Sequence, residues 1–81
     1  MPMIVTRSPQ FIKQTRHLDP FLLTKLRAQI DKLLVNPRVG KPLKYRRNER
    51  SIYIKPFRLI YSIRGNEIML LQLDHRKRVY K

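Results

Sequence analysis

Arg50-Ser51-Ile52-Tyr53-Ile54-Lys55-Pro56-Phe57-Arg58-Leu59-Ile60-Tyr61 is the stretch whose reading decides the fold. Ile52 and Ile54 alternate with Ser51, Tyr53 and Lys55. Past Pro56, Phe57, Leu59, Tyr61 and Ile63 alternate with Arg58, Ile60 and Ser62. Alternation with period two is the mark of a half-buried strand, because successive side chains point to opposite faces. The stretch is therefore two strands around a tight turn at Lys55-Pro56, pairing Ile54 with Phe57, Tyr53 with Arg58 and Ile52 with Leu59. A non-glycine residue before proline fits poorly in the primed turns that hairpins favour. A longer loop or a cis Lys55–Pro56 bond would each accommodate it.

Downstream, Gly65-Asn66 suits a two-residue hairpin turn. Counting back from it pairs Ile63 with Ile68, Tyr61 with Leu70, Ile60 with Leu71 and Arg58 with Leu73. That register turns Ile52, Ile54, Leu59, Tyr61, Ile63, Ile68 and Leu70 to one face. Tyr53, Arg58 and His75 go to the other, with Ile60, Met69 and Leu71 left uncovered there unless the tail, the connector or a partner closes over them. An apolar patch beside a basic cluster points to a binding site.

Upstream, Met3 to Thr6 reads as a first strand. Ser8-Pro9 and Asp19-Pro20 each place a capping side chain before a proline at the first helical position. Phe11, Thr15 and Leu18 share a face of the first helix, which ends near His17. Leu23, Leu26, Ile30, Leu33 and Leu34 recur at helical spacing in the second, which Asn36-Pro37 stops. Lys41 to Asn48 is a basic connector with room for a short edge strand, since Pro42 argues against a central one. The expected fold is α+β: a two-helix hairpin packed on one face of a small, mainly antiparallel twisted sheet, in a single domain over residues 1–81.

Nineteen Lys and Arg stand against five Asp and Glu, for a net charge of +14. Residues 41–81 hold twelve basic and three acidic residues, and residues 1–40 seven and two, so the excess is +9 in the half containing the hairpin and +5 in the other. Such an imbalance costs stability through self-repulsion and invites a polyanion or an acidic protein partner. There is no cysteine, so no disulfide or thiolate metal site, and two histidines are too few for a metal cage. No apolar run reaches the roughly 18 residues of a membrane span. The start Met-Pro-Met-Ile-Val lacks the layout of a signal peptide, and a cytoplasmic protein is the expectation.

Asn36-Pro37 with Gly40-Lys41-Pro42-Leu43, then Phe57-Arg58-Leu59-Ile60-Tyr61, then His75-Arg76-Lys77-Arg78-Val79-Tyr80, occur in this order over nearly the whole chain. In this it resembles the RelE/ParE toxin superfamily, most closely its short RelE-type branch. The resemblance implies a toxin of a type II toxin–antitoxin system, held in a heteromeric complex by an acidic, amphipathic antitoxin. It implies a ribosome-dependent endonuclease that cuts mRNA in the A site by attack of a 2′-hydroxyl on the neighbouring phosphate. It also implies functional roles for Arg58, Arg76 and Tyr80.

The chemistry suits these residue types. Cleavage places negative charge on a crowded phosphorane, and guanidinium groups such as those of Arg58 and Arg76 stabilise it through paired hydrogen bonds. Activating the hydroxyl and protonating the leaving group need a proton carrier. Histidine is the residue type suited to this near neutral pH, which makes His75 a candidate, and Lys55 or Tyr80 are candidates if neighbouring cations favour their deprotonated forms. Lys41, Lys44, Arg46, Arg47, Arg50, Lys77 and Arg78 are candidate RNA contacts, mostly to phosphate, and Tyr53 a candidate for stacking on a base. No cofactor or metal is implied. Several relatives carry lysines where this chain has Ser51 and Tyr53. That departure keeps two alternatives open: a ParE-like inhibitor of DNA gyrase without nuclease activity, and a catalytically decayed nucleic-acid-binding relative.

Overall fold

The structure, a computed structural model, describes residues 3–75, the Arg47 side chain excepted. Strand β1 (Ile4–Arg7) leads into helices α1 (Pro9–Thr15) and α2 (Pro20–Val35), followed by strands β2 (Lys41–Leu43), β3 (Arg46–Ile54), β4 (Phe57–Arg64) and β5 (Glu67–His75). The five strands form one sheet in the order β1-β5-β4-β3-β2. Only the β1–β5 pair is parallel; the other pairs are antiparallel. This is the expected α+β arrangement, with β3 beginning four residues earlier than the alternation at Arg50 suggested.

Both helices start where the sequence places them. Ser8 Oγ accepts from Phe11 N at 3.0 Å and Asp19 Oδ1 from Phe21 N at 2.8 Å, each satisfying an amide that the first turn leaves without a helical partner. Asn36 ends α2, its N–H donating to the Lys32 carbonyl, and Pro37 prevents continuation. Phe11, Leu26 and Leu33 pack from the helices onto Ile54, Leu59, Tyr61, Ile68, Leu70 and Leu73 of the sheet, all buried. Leu34, by contrast, is exposed on α2.

The β3–β4 register matches the sequence reading at all three pairs, and the Lys55–Pro56 bond is cis. The β4–β5 register matches only near the turn. Beyond Ile63–Ile68 and Tyr61–Leu70 the ladder shifts: Ile60 pairs with Gln72, Leu59 with Leu73, Arg58 with Asp74 and Phe57 with His75. Leu71 is the extra residue of a β-bulge. One extra residue sends every later side chain to the opposite face. Leu73 therefore joins the core under the helices instead of standing across from Arg58.

Two devices tie loops to this sheet. The buried Tyr61 hydroxyl accepts from Gly40 N at 3.0 Å and donates to the Pro37 carbonyl at 2.7 Å. A Cβ on Gly40 would lie 2.6 Å from that hydroxyl and 2.8 Å from the Ser51 carbonyl oxygen, so the close approach requires glycine. At the other side, Gln14 of α1 donates to the Leu73 carbonyl and accepts from Leu73 N, both at 2.8 Å. Its amide makes the pair of bonds that a neighbouring strand residue would make, where β1 no longer reaches.

Candidate functional site on the open sheet face

The helices cover one face of the sheet; Arg58 lies on the other. Its position follows from the alternation of β4, in which Leu59 and Tyr61 turn inward and Arg58 outward. Tyr53, its cross-strand neighbour on β3, is half exposed. Asp74, its neighbour on β5, brings Oδ2 to 3.6 Å from Arg58 Nη2, with side-chain exposures of 36% for Arg58 and 29% for Asp74. Arg58 Nε is buried without a hydrogen-bond partner, alone in this among the side-chain polar atoms of the described residues. At that distance and exposure the ion pair is weak, and the buried N–H is costly to leave unmade. The guanidinium thus retains unsatisfied donor capacity on the open face.

Asp74 was not visible as a site residue in the sequence, because a register counted back from Gly65-Asn66 without the bulge puts Leu73 in its place. The same bulge corrects the position of His75. Its ring meets Phe57 edge-on at 5.2 Å on the helix side of the sheet, so it does not share a face with Arg58. Lys55 is exposed in the cis-proline turn, two residues along the chain from Tyr53. Arg76, Lys77, Arg78 and Tyr80 lie outside the described residues.

The basic connector divides. Arg50 is occupied structurally: its Nη1 donates to the carbonyls of Arg38 at 3.1 Å and Gly40 at 2.7 Å, bracing the loop after α2 rather than presenting that group to phosphate. Lys41 is exposed on the edge strand. Lys44 and Tyr45 form the turn between β2 and β3, and Arg46, also exposed, lies 3.3 Å from Glu49. The Arg47 side chain lies outside the description.

Between this end of β3 and the Gly65-Asn66 turn, the open face forms a groove of about 590 Å³, with Met69 and Leu71 in its lining and Arg46, Arg64, Glu49 and Glu67 around them. Ile60, expected to be uncovered on this face, is buried, at 5% exposure; Met69 and Leu71 are half-buried. Among the described residues no cluster of three or more His, Cys, Asp or Glu gathers for a metal ion, and no helix is long and apolar enough to cross a membrane.

Residues 5–80 match the family model described as the ParE toxin of the type II toxin–antitoxin system parDE. A search of curated protein sequences found no significant match. Among solved structures, the RelBE2 toxin–antitoxin complex from Mycobacterium tuberculosis superposes with a TM-score of 0.79 at 27% identity, over 94% of this chain and 100% of that one. The isolated RelE toxin of E. coli gives a TM-score of 0.82 at 19% identity, over 96% and 90% of the two chains. The archaeal RelE–RelB complex of Pyrococcus horikoshii gives 0.78 at 20%, over 96% and 99%. The fold is that of RelE.

Proposed function

This chain belongs to the ParE toxin family of type II toxin–antitoxin systems, and from that premise we propose that it is a ribosome-dependent mRNA endonuclease. The observation that carries the reading is Arg58. It stands on the face of the sheet away from the helices, and among the described residues its buried Nε has no hydrogen-bond partner and its one ion-pair contact is Asp74 at 3.6 Å. A phosphate offers the charge-assisted acceptors that such a group lacks, and more so as negative charge builds on it during cleavage.

In the proposed reaction a 2′-hydroxyl of the mRNA attacks the adjacent phosphorus and the 5′-oxygen leaves, producing a 2′,3′-cyclic phosphate. Arg58 and Arg76 stabilise the phosphorane. Tyr53 stacks on a base, and Tyr80 and Lys55 are the candidates for moving protons; His75, on the far side of the sheet, is not among them. The net charge of +14 favours the ribosomal RNA surroundings of the A site. It equally favours an acidic antitoxin. The RelE toxins of M. tuberculosis and P. horikoshii are found in complexes with antitoxins, and the same kind of partner is proposed here.

The test is cleavage of a defined mRNA by purified protein, with and without ribosomes holding an empty A site. The proposal expects a cut within the A-site codon, dependent on ribosomes and lost in Arg58→Ala. Intact mRNA under both conditions refutes it, and inhibition of gyrase supercoiling by the same preparation would then assign the activity to the ParE-like alternative.

A further inference from the structure

The apex of the β2–β3 hairpin carries a side chain that the site above does not use. Tyr45 is 88% exposed, with Lys44 Nζ 5.6 Å from its ring centroid. Arg46 follows directly, its side chain 64% exposed and only loosely held by Glu49. An aromatic ring left in water on a two-residue turn contributes nothing visible to the fold. Its neighbours in sequence are all cationic, in the run Lys44-Tyr45-Arg46-Arg47. The groove beside the turn differs, because Glu49 and Glu67 offset Arg46 and Arg64 there. At the turn itself cations outnumber carboxylates: Lys44 and Arg46 flank Tyr45, and among the described residues only Arg46 of the two has a carboxylate contact, Glu49 at 3.3 Å.

We propose that Tyr45 is a base-stacking residue that binds an unpaired RNA base on its ring while Lys44 and Arg46 hold the adjoining phosphates. Every base presents a π-face, so a ring with flanking cations binds single-stranded RNA with little regard to sequence. The contact is separate from the cleavage site. Tyr53, which faces Arg58, is seven residues along β3 from Arg46, or roughly 23 Å at the usual rise of a strand. Tyr45 therefore holds a different nucleotide from the one cut, either further along the mRNA or in an unpaired ribosomal RNA segment. This inference deepens the proposed function and rests on its reading of RNA as the partner.

The chain contains no tryptophan, so Tyr45→Trp introduces a single reporter whose emission is quenched when a base stacks on it. The probe is a 2′-O-methyl RNA oligonucleotide, which lacks the attacking hydroxyl and reports binding without cleavage. Alongside it, wild type, Tyr45→Phe and Tyr45→Ala compete for that oligonucleotide and for ribosomes with an empty A site. Stacking of the usual strength predicts roughly a tenfold loss for Tyr45→Ala. Tyr45→Phe keeps near-wild-type affinity, and Tyr45→Trp is quenched on binding. Loss on the oligonucleotide and ribosome alike assigns the base to mRNA; loss on the ribosome alone assigns it to ribosomal RNA. Equal affinities for Tyr45→Ala and wild type on both, with no quenching, overturn the proposal. So does a loss confined to the complex with an acidic antitoxin, which would make the turn a protein contact. A protein that binds through Tyr45 yet cuts no mRNA would keep this inference and refute only the cleavage.

Discussion

Tyr61→Phe removes one oxygen and tests how the loop after α2 is fixed to the sheet. The hydroxyl accepts from Gly40 N at 3.0 Å and donates to the Pro37 carbonyl at 2.7 Å, in a residue with no exposed surface. Without it, the buried Gly40 N–H loses its partner at a cost of about 1–3 kcal/mol, and the Pro37 carbonyl, whose bond is only part-buried, about 0.5–1.5 kcal/mol. The sum, about 2–4 kcal/mol, is a large part of the 4–12 kcal/mol or so expected for a domain of this size. Thermal unfolding reads it directly, since each kcal/mol moves the midpoint by about 4–8 °C in so small a domain. A fall of at least about 8 °C is expected, and one below about 3 °C refutes the reasoning.

The pH dependence supplies a second readout from the same pair of proteins. Burial raises the Tyr61 pKa above 10.0, with the Gly40 hydrogen bond and the Arg50 charge opposing it. The folded state thus resists an ionisation that the unfolded chain undergoes near pH 10. The associated stability is intact below that pH and drains away as pH climbs through the raised folded value. The stability difference between wild type and Tyr61→Phe should be constant below about pH 9.5 and shrink above pH 10. Parallel curves across that range would show that the hydroxyl is not buried as described.

Gly40→Ala should destabilise by about 1–3 kcal/mol, because its Cβ meets the Ser51 carbonyl, a backbone atom that cannot swing aside; urea unfolding measures this. Combined with Tyr61→Phe the losses should fall short of additive, since the clash with the hydroxyl is then gone and only the Ser51 carbonyl and the ring edge remain close. Gln14→Ala should cost about 1–2 kcal/mol by removing both bonds to Leu73, and the Leu73 amide should lose protection in hydrogen exchange. Arg58→Ala should change stability by no more than about 1 kcal/mol, its ion pair being partly exposed, while abolishing A-site cleavage and toxicity at equal expression.

Much of this molecule is legible in the sequence because its signals are local. Ser8-Pro9 and Asp19-Pro20 carry both helix starts within two residues each, and the alternation from Ile52 to Tyr61 carries one register and the outward position of Arg58. What escaped is non-local. The bulge at Leu71 has no marker such as glycine, and Leu71 itself is an ordinary strand residue, so the shift that exchanges Leu73 for Asp74 opposite Arg58 is set by packing. Arg50 looked like any other cation in a basic run. Its engagement with the Arg38 and Gly40 carbonyls depends on a loop ten residues away being drawn in by Tyr61.

The side-chain amide of Gln14 bears on how such a chain survives apart from a partner. A sheet offers its unpaired backbone to any extended segment that drifts past, and aggregation begins at such borders. Here the outer strands are the shortest, four residues in β1 and three in β2, and Pro42 withholds a donor from the second. The long strand β5 outlasts β1, and at Leu73 its bare flank is closed by Gln14 from within the same chain. With little border among the described residues to template growth, and a strong mutual repulsion between copies, edge-to-edge strand pairing between copies is disfavoured.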